Sequence, residues 1–285
     1  MVGRHASAEG SWEVATRPPD PRLRPAIHSY TGYREDMAGP LRRRELPSGH
    51  VTLILSFGEP IALLPAERPA AAGTFTSFLV GLDDGPTITE HAGRQHGVQV
   101  DLSPLGAYAL LGGATSEYAS AVVPLADLPG QRGDELAARL ADAPGWAARF
   151  ALLDQVLGAR IAAGPAPAPE VAWAWRRLQR VAGRGAVAEL AEEVGWSHRH
   201  LICRFREQIG LAPKAAARVL RFERAVGLLA APGGPPWAEL AVRCGYYDQA
   251  HLNREFRALA GCTPTELVAG RGFGLGGAPA LAQPA

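Results

Sequence analysis

Gln249, Asn253 and Arg254 lie within six residues of one another. Each carries a side chain able to form two parallel hydrogen bonds to a base edge. The guanidinium suits guanine and the amides suit adenine, and each good pair gives about 1–3 kcal/mol of discrimination. Ala250 and His251 share the same stretch, and an earlier stretch places His198, Arg199, Ile202 and Cys203 in corresponding positions. Arg206, Lys214, Arg218 and Arg257, with the hydroxyl of Ser197, are candidates for phosphate contact; the cations could equally form ion pairs between helices. This is recognition chemistry: no Ser-His-Asp pattern and no phosphate-cradling glycine loop stands out, so no catalytic residue is assigned.

The elements that must position these side chains are duplicated. Ala188-Glu189-Leu190-Ala191, Gly195, His200-Leu201, Phe205-Arg206, Gly210 and Pro213 return as Ala238-Glu239-Leu240-Ala241, Gly245, His251-Leu252, Phe256-Arg257, Gly261 and Pro264. The spacing predicts two helix-turn-helix units. In the first, a helix over 187–194 stops at Gly195, Trp196 plugs the corner, Ser197 caps, and a second helix runs over 198–208. In the second, a helix over 237–244 stops at Gly245, with Tyr246 at the corner; Asp248 caps a helix over 249–260. Leu201 with Phe205, and Leu252 with Phe256, are four apart and face the core. One long helix over 214–229 joins the units. Glu189 and Glu239 are early-helix carboxylates favoured by the dipole.

Charge is uneven along the chain. Residues 1–169 carry 14 Lys+Arg against 18 Asp+Glu, and residues 170–285 carry 15 against 10. Only the second part is suited to a polyanion. Cys203, Cys244 and Cys262 have no CxxC spacing and read as reduced thiols in a cytoplasmic protein. His50, His91 and His96 lack the His-x-His and downstream Glu of a metal-holding barrel, so no metal and no cofactor is expected. No run of about 18 apolar residues suggests a membrane span. A DNA-repair enzyme fused to such a reader would need a reactive cysteine in its first half, and residues 1–202 have none. A module whose helices bind a protein rather than DNA remains a rival.

The first part of the chain reads differently. Residues 1–26 are Pro/Arg-rich and expected to be extended or partly ordered. Val51–Phe57, Ile61–Leu64, Phe75–Gly81 and Val98–Leu102 are strand candidates, and Leu105–Leu111, Asp134–Leu140 and Trp146–Ala162 helix candidates. The expected fold is α+β. A mostly antiparallel β domain with flanking helices (1–163) is followed by a Pro/Ala linker (164–170), an all-α domain of two helix-turn-helix units joined by a long helix (171–270), and a disordered tail (271–285).

Residues 171–270 resemble the double helix-turn-helix domain of the AraC/XylS transcription regulators. Cys244-Gly245-Tyr246-Tyr247-Asp248-Gln249-Ala250-His251-Leu252-Asn253-Arg254-Glu255-Phe256 follows the second unit of that family, and Arg221 and Ala225 match its linking helix. The resemblance implies double-stranded DNA as partner, read in the major groove, with RNA polymerase and a second copy of the chain as further partners. Ile202-Cys203 departs from the family's polar-then-Arg pattern, so the first unit either meets thymine methyls or only positions the protein. A weaker resemblance over residues 1–160 rests on Pro47-Ser48-Gly49-His50, Gly97-Val98 and Leu110-Leu111-Gly112; it implies a half that senses a small-molecule effector or mediates dimerisation.

Overall fold

The computed structural model describes residues 1–8, 10–64, 72–128, 133–231, 234–269 and 273–275. Its first part is a two-sheet β structure built from β1 (Val2–Ser7), β2 (Gly10–Arg17), β3 (Ile27–Met37), β4 (Leu41–Leu46), β5 (Val51–Ser56), β6 (Ile61–Leu64), β7 (Gly73–Phe75), β8 (Phe78–Val80), β9 (Thr87–His91) and β10 (Arg94–Leu102). There follow α1 (Pro104–Leu111), β11 (Val122–Pro124), α2 (Gly133–Asp142) and α3 (Trp146–Ala163). The second part is helical: α4 (Pro169–Arg180), α5 (Val187–Glu193), α6 (His198–Ile209), α7 (Pro213–Ala230), α8 (Trp237–Arg243), α9 (Gln249–Ala260) and α10 (Pro264–Ala269), closed by β12 (Phe273–Leu275). The fold is therefore α+β, with an antiparallel β domain ahead of an all-α one.

One sheet has the order β1-β2-β3-β10-β5-β8-β11 and the other β12-β4-β9-β6-β7. Every pairing among them is antiparallel except β12 with β4. β5 is buried along its whole length, as its unbroken apolar run requires of a strand covered on both faces. Its neighbour β10 brings Val98, Val100 and Leu102 to complete burial. Side chains along a strand alternate between faces. The odd-numbered members of β3, β4, β6 and β9 (Tyr33 and Glu35, Arg43 and Glu45, Ile61 and Leu63, Thr87, Thr89 and His91) consequently line one cavity with Thr52 and Ile54 of β5 and Phe78 and Val80 of β8.

Three expectations need correction. Residues 2–7 and 10–17, expected to be extended or partly ordered, are extended and fully paired: they form a hairpin, whose second strand pairs with β3 from Gly10–Met37 to Arg17–Tyr30. The Trp12-Glu13-Val14 alternation outweighs the surrounding Pro and Arg once β3 offers its edge. The helix α4 begins at Pro169, inside the segment assigned to the linker, because proline is favoured at the first helical position. The remaining spacer is pinned: the Ala168 amide donates to Gln208 Oε1 at 2.9 Å, and a Cβ on Gly164 would meet the Ala109 carbonyl. Part of the supposed disordered tail, Phe273–Leu275, pairs in parallel with Arg44–Leu46 because β4 would otherwise end the sheet with unpaired backbone groups. Residues 276–285 lie outside the described residues.

Candidate nucleic-acid interface and sensor cavity

Each reading helix is placed by the same local devices. Gly195 and Gly245 stand at φ +71° and +79°, the left-handed region that lets the chain turn sharply after α5 and α8. Ser197 accepts a hydrogen bond from the His200 amide at 3.3 Å, and Asp248 one from the His251 amide at 2.6 Å, so both reading helices are N-capped by side chains. Leu201, Phe205, Leu252 and Phe256 are fully buried. With those faces turned inward, the opposite faces of α6 and α9 must meet solvent. We expect Gly245→Val to cost about 1–3 kcal/mol, because a β-branched residue is strained at this φ. The measurement is thermal melting, and an unchanged transition would contradict the turn assignment.

The exposed faces carry most of the expected side chains. His198, Arg199, Cys203, Gln249, Ala250 and Arg254 are exposed, and Ile202 and Asn253 are half-buried. Arg206, Lys214 and Arg257 are also exposed. Arg199 and Arg254 have no ion-pair partner among the described residues.

Two expected contacts are turned to other work. His251 accepts a hydrogen bond from the Tyr247 amide on Nδ1 at 3.3 Å and sets its edge against Tyr246 at 5.4 Å, so its ring braces the turn. The Arg218 guanidinium is held by Glu255 at 2.9 Å and Asp84 at 3.5 Å. It lies between the long helix, α9 and the β domain, and the hydrogen bond with Glu255 raises its affinity for its proton. A phosphate would have to displace both carboxylates.

Tyr247 was missed by the sequence reading. It is 90% exposed at the entrance to α9. The signal was present, since an aromatic beside a buried corner aromatic has no room in the core.

The histidines that invited a metal reading have different partners. His91 meets Glu35 at 3.3 Å, His50 meets His28 with the two rings tilted at 4.5 Å and faces Glu223 at 3.7 Å, and His96 packs edge-on to Phe57 and Trp146. Burial, with Arg149 nearby, pulls the His96 pKa down to about 4.

The cavity between the sheets has a volume of about 110 Å³. Ile54, Leu63 and Phe78 form its apolar wall, and Glu35, Arg43 and His91 a polar cluster on the other side. Arg43 grips Glu35 through both terminal nitrogens at 2.7 and 3.0 Å. Burial alone would raise the Glu35 pKa, but hydrogen bonds from His91 and Arg43 hold it below its usual value.

The cavity rim is also the seat of the helical domain. Ser48, His50, Asp83 and Gly85 line the cavity. Beside them the Gly49 amide donates to Glu223 Oε2 of α7 at 3.2 Å, and Asp84 holds Arg218. On β4, Arg43 and Glu45 face the cavity, while Arg44 between them donates to the Ala260 carbonyl at the end of α9. Strand alternation thus places cavity-lining side chains and an anchor for α9 on successive residues. The first unit is tied down elsewhere, by Thr115 donating to the Glu207 carbonyl at 3.0 Å.

Residues 190–270 match the model of a helix-turn-helix domain, and residues 15–124 match a domain of unknown function (DUF6597). No curated protein matches. Among solved structures, the DNA-binding domain of AdpA, a global transcriptional factor in complex with a target DNA, is 31% identical over 35% of this chain and 86% of that one, with a TM-score of 0.31. The C-terminal domain of AraT, a response regulator from Geobacillus stearothermophilus, is 23% identical over 38% and 90%, TM-score 0.35. ToxT from Vibrio cholerae is 10% identical over 81% and 96%, TM-score 0.49. With the helix-turn-helix match lying on a motif that occurs twice, each copy capped and turned alike, the chain belongs to the AraC/XylS family of DNA-binding transcriptional regulators.

Proposed function

We propose that the chain reads duplex DNA through α6 and α9, each entering the major groove, with α9 the principal base reader. The observation that carries this reading is the exposed face of α9. Gln249 and Arg254 stand free on it while Leu252 and Phe256 hold its back to the core. Arg199 serves the first unit, where Ile202 and Cys203 offer thymine methyls an apolar contact. Arg206, Lys214, Arg257 and the Tyr247 hydroxyl supply backbone contacts, which set register without reading sequence.

The cavity between the sheets holds a small effector. It supports this role by position: its rim segments are those on which α7 and α9 rest. A ligand that changes the rim biases how the second unit is held, and it can shift only what it binds differentially. ToxT has been solved with an unsaturated fatty acid bound.

The test is a gel shift of the full chain on its native upstream region across a salt series. Three cations on phosphates predict that log K falls with log salt at a slope of about −3, from about −0.9 per contact. A flat response would favour a helical face that binds protein instead.

A further inference from the structure

We propose that residues 81–86, the connection from β8 to β9, act as a gauge that sets the separation of α6 and α9 and thereby selects the spacing of the two half-operators. This rests on reading α6 and α9 as the DNA readers, and names what holds them apart.

Alternate residues of this segment face opposite ways. Gly81, Asp83 and Gly85 line the cavity between the sheets. The residues between them meet the helical domain in turn. A Cβ on Gly210, which ends α6, would touch Leu82 Cβ at 3.9 Å. Asp84 meets Arg218 of α7 at 3.5 Å. A Cβ on Gly261, which ends α9, would touch Pro86 Cγ at 3.5 Å. Gly210 and Gly261 hold the same place in the two copies of the repeat, and both stand at positive φ, +102° and +66°. One short segment therefore seats both reading helices by their equivalent ends, and the long helix between them.

The segment is itself held in place. The Gly81 amide donates to the Ala121 carbonyl at 3.1 Å, and the Ser120 amide to the Leu82 carbonyl at 2.9 Å. The Ser120 hydroxyl donates to Asp83 Oδ1 at 2.9 Å. A side chain at Gly81 would run into the Tyr118 carbonyl, so the two stretches lie in close contact. The stretch that holds the segment also anchors α6: Thr115 donates to the Glu207 carbonyl, and Ala119 lies beside Gly210. At the other end Arg44 donates to the Ala260 carbonyl of α9. A chain spans at most about 3.3–3.6 Å per residue, so Leu82 and Pro86 stand no more than about 14 Å apart. The ends of both reading helices thus rest on points whose separation the covalent chain limits. On the duplex, one base pair moves a half-site by about 3.4 Å and turns it by about 35°. A fixed separation of the readers makes that spacing part of the recognised signal.

The experiment selects bound sequences from randomised duplexes with the full chain. Gel shifts then measure the recovered operator with its halves at the selected spacing, one base pair closer and one farther. Wild type is compared with the double variant Asp84→Ala, Pro86→Ala, which removes two half-buried seats and leaves the reading faces alone. Wild type should lose about tenfold or more at either altered spacing, since misplaced base contacts are lost. The double variant should lose about threefold or less, while the bases recovered in each half stay the same. Asp84→Asn keeps the shape and removes the charge that faces Arg218, and should fall between them. If the double variant also loses the unaltered operator, Asp84→Asn decides by the same criterion. Equal losses for wild type and variants overturn the proposal and leave α7 alone to fix the distance. A wild type that accepts all three spacings alike overturns it too. If the wild type binds no duplex, the reading of α6 and α9 falls and the gauge falls with it.

Discussion

Phe256→Ala should lower the stability of the second helix-turn-helix unit by about 3–5 kcal/mol and abolish specific DNA binding. Phe256 is wholly buried on the inner face of α9, and its ring meets Phe222 of the long helix edge-on at 4.8 Å. Truncation removes the aromatic contact and leaves a cavity where α7 and α9 meet. Because α8 and α9 are 7 and 12 residues long, the unit has little other core to absorb that loss. Differential scanning calorimetry of the full chain should show the change as an earlier or separate transition. Phe205→Ala is the counterpart in the first unit, equally buried and packed near Trp175 at 6.3 Å. Loss of stability from one substitution and none from the other would mean that the duplication does not extend to the packing.

Arg254→Ala should do the reverse, leaving the fold intact and removing choice. The side chain is exposed and carries no ion pair among the described residues, so the change in stability should stay within about 0.5 kcal/mol. Loss of a forked contact should cost about 1–3 kcal/mol at one or two base pairs and leave the rest of the operator recognised. Selection of bound sequences from a randomised operator, wild type beside variant, reads this directly. Equal weakening on every sequence would instead place Arg254 on the phosphates, where contacts position the protein without specifying sequence. The same experiment with Arg199→Ala decides whether the first unit reads bases or only sets register.

The cavity rim and the second helix-turn-helix unit are joined through short segments. Arg218 joins Glu255 of α9 to Asp84 on the cavity rim, and Arg44 reaches the end of α9 from a strand whose neighbours face the cavity. Exposed ion pairs contribute little to stability, about 0–1 kcal/mol at the median. Arg218 is only a quarter exposed and shared between carboxylates from two domains, which suits it to fix relative position more than to hold the fold together.

The helical domain was legible because its signals are local. A glycine at positive φ, a capping Ser or Asp, and apolar residues four apart each act within one turn of helix, and their recurrence fifty residues on made the reading redundant. The fate of individual polar side chains on those helices was not legible. Nothing near Arg218 in the chain announces Asp84, which lies 134 residues away, and nothing marks His251 as a brace except the turn it folds against.

The β domain shows the same division more sharply. Val51–Ser56 was recognisable as a strand from its apolar run, but β1, β2, β3, β4 and β9 carry mixed or charged sequences whose alternation acquires meaning only against a partner. Strand pairing is non-local: β3 meets β10 some sixty residues on, and β4 takes its edge partner from beyond the last helix. The sequence by itself determined the duplicated reader, the sign of its charge and the face each reading helix turns outward, because helices draw their hydrogen bonds and their amphipathic pattern from their own neighbours. Tertiary structure alone decided the cavity, the pairing of Glu35 with Arg43 within it, and which arginines carry no ion pair among the described residues, because each of these depends on residues brought together from separate parts of the chain.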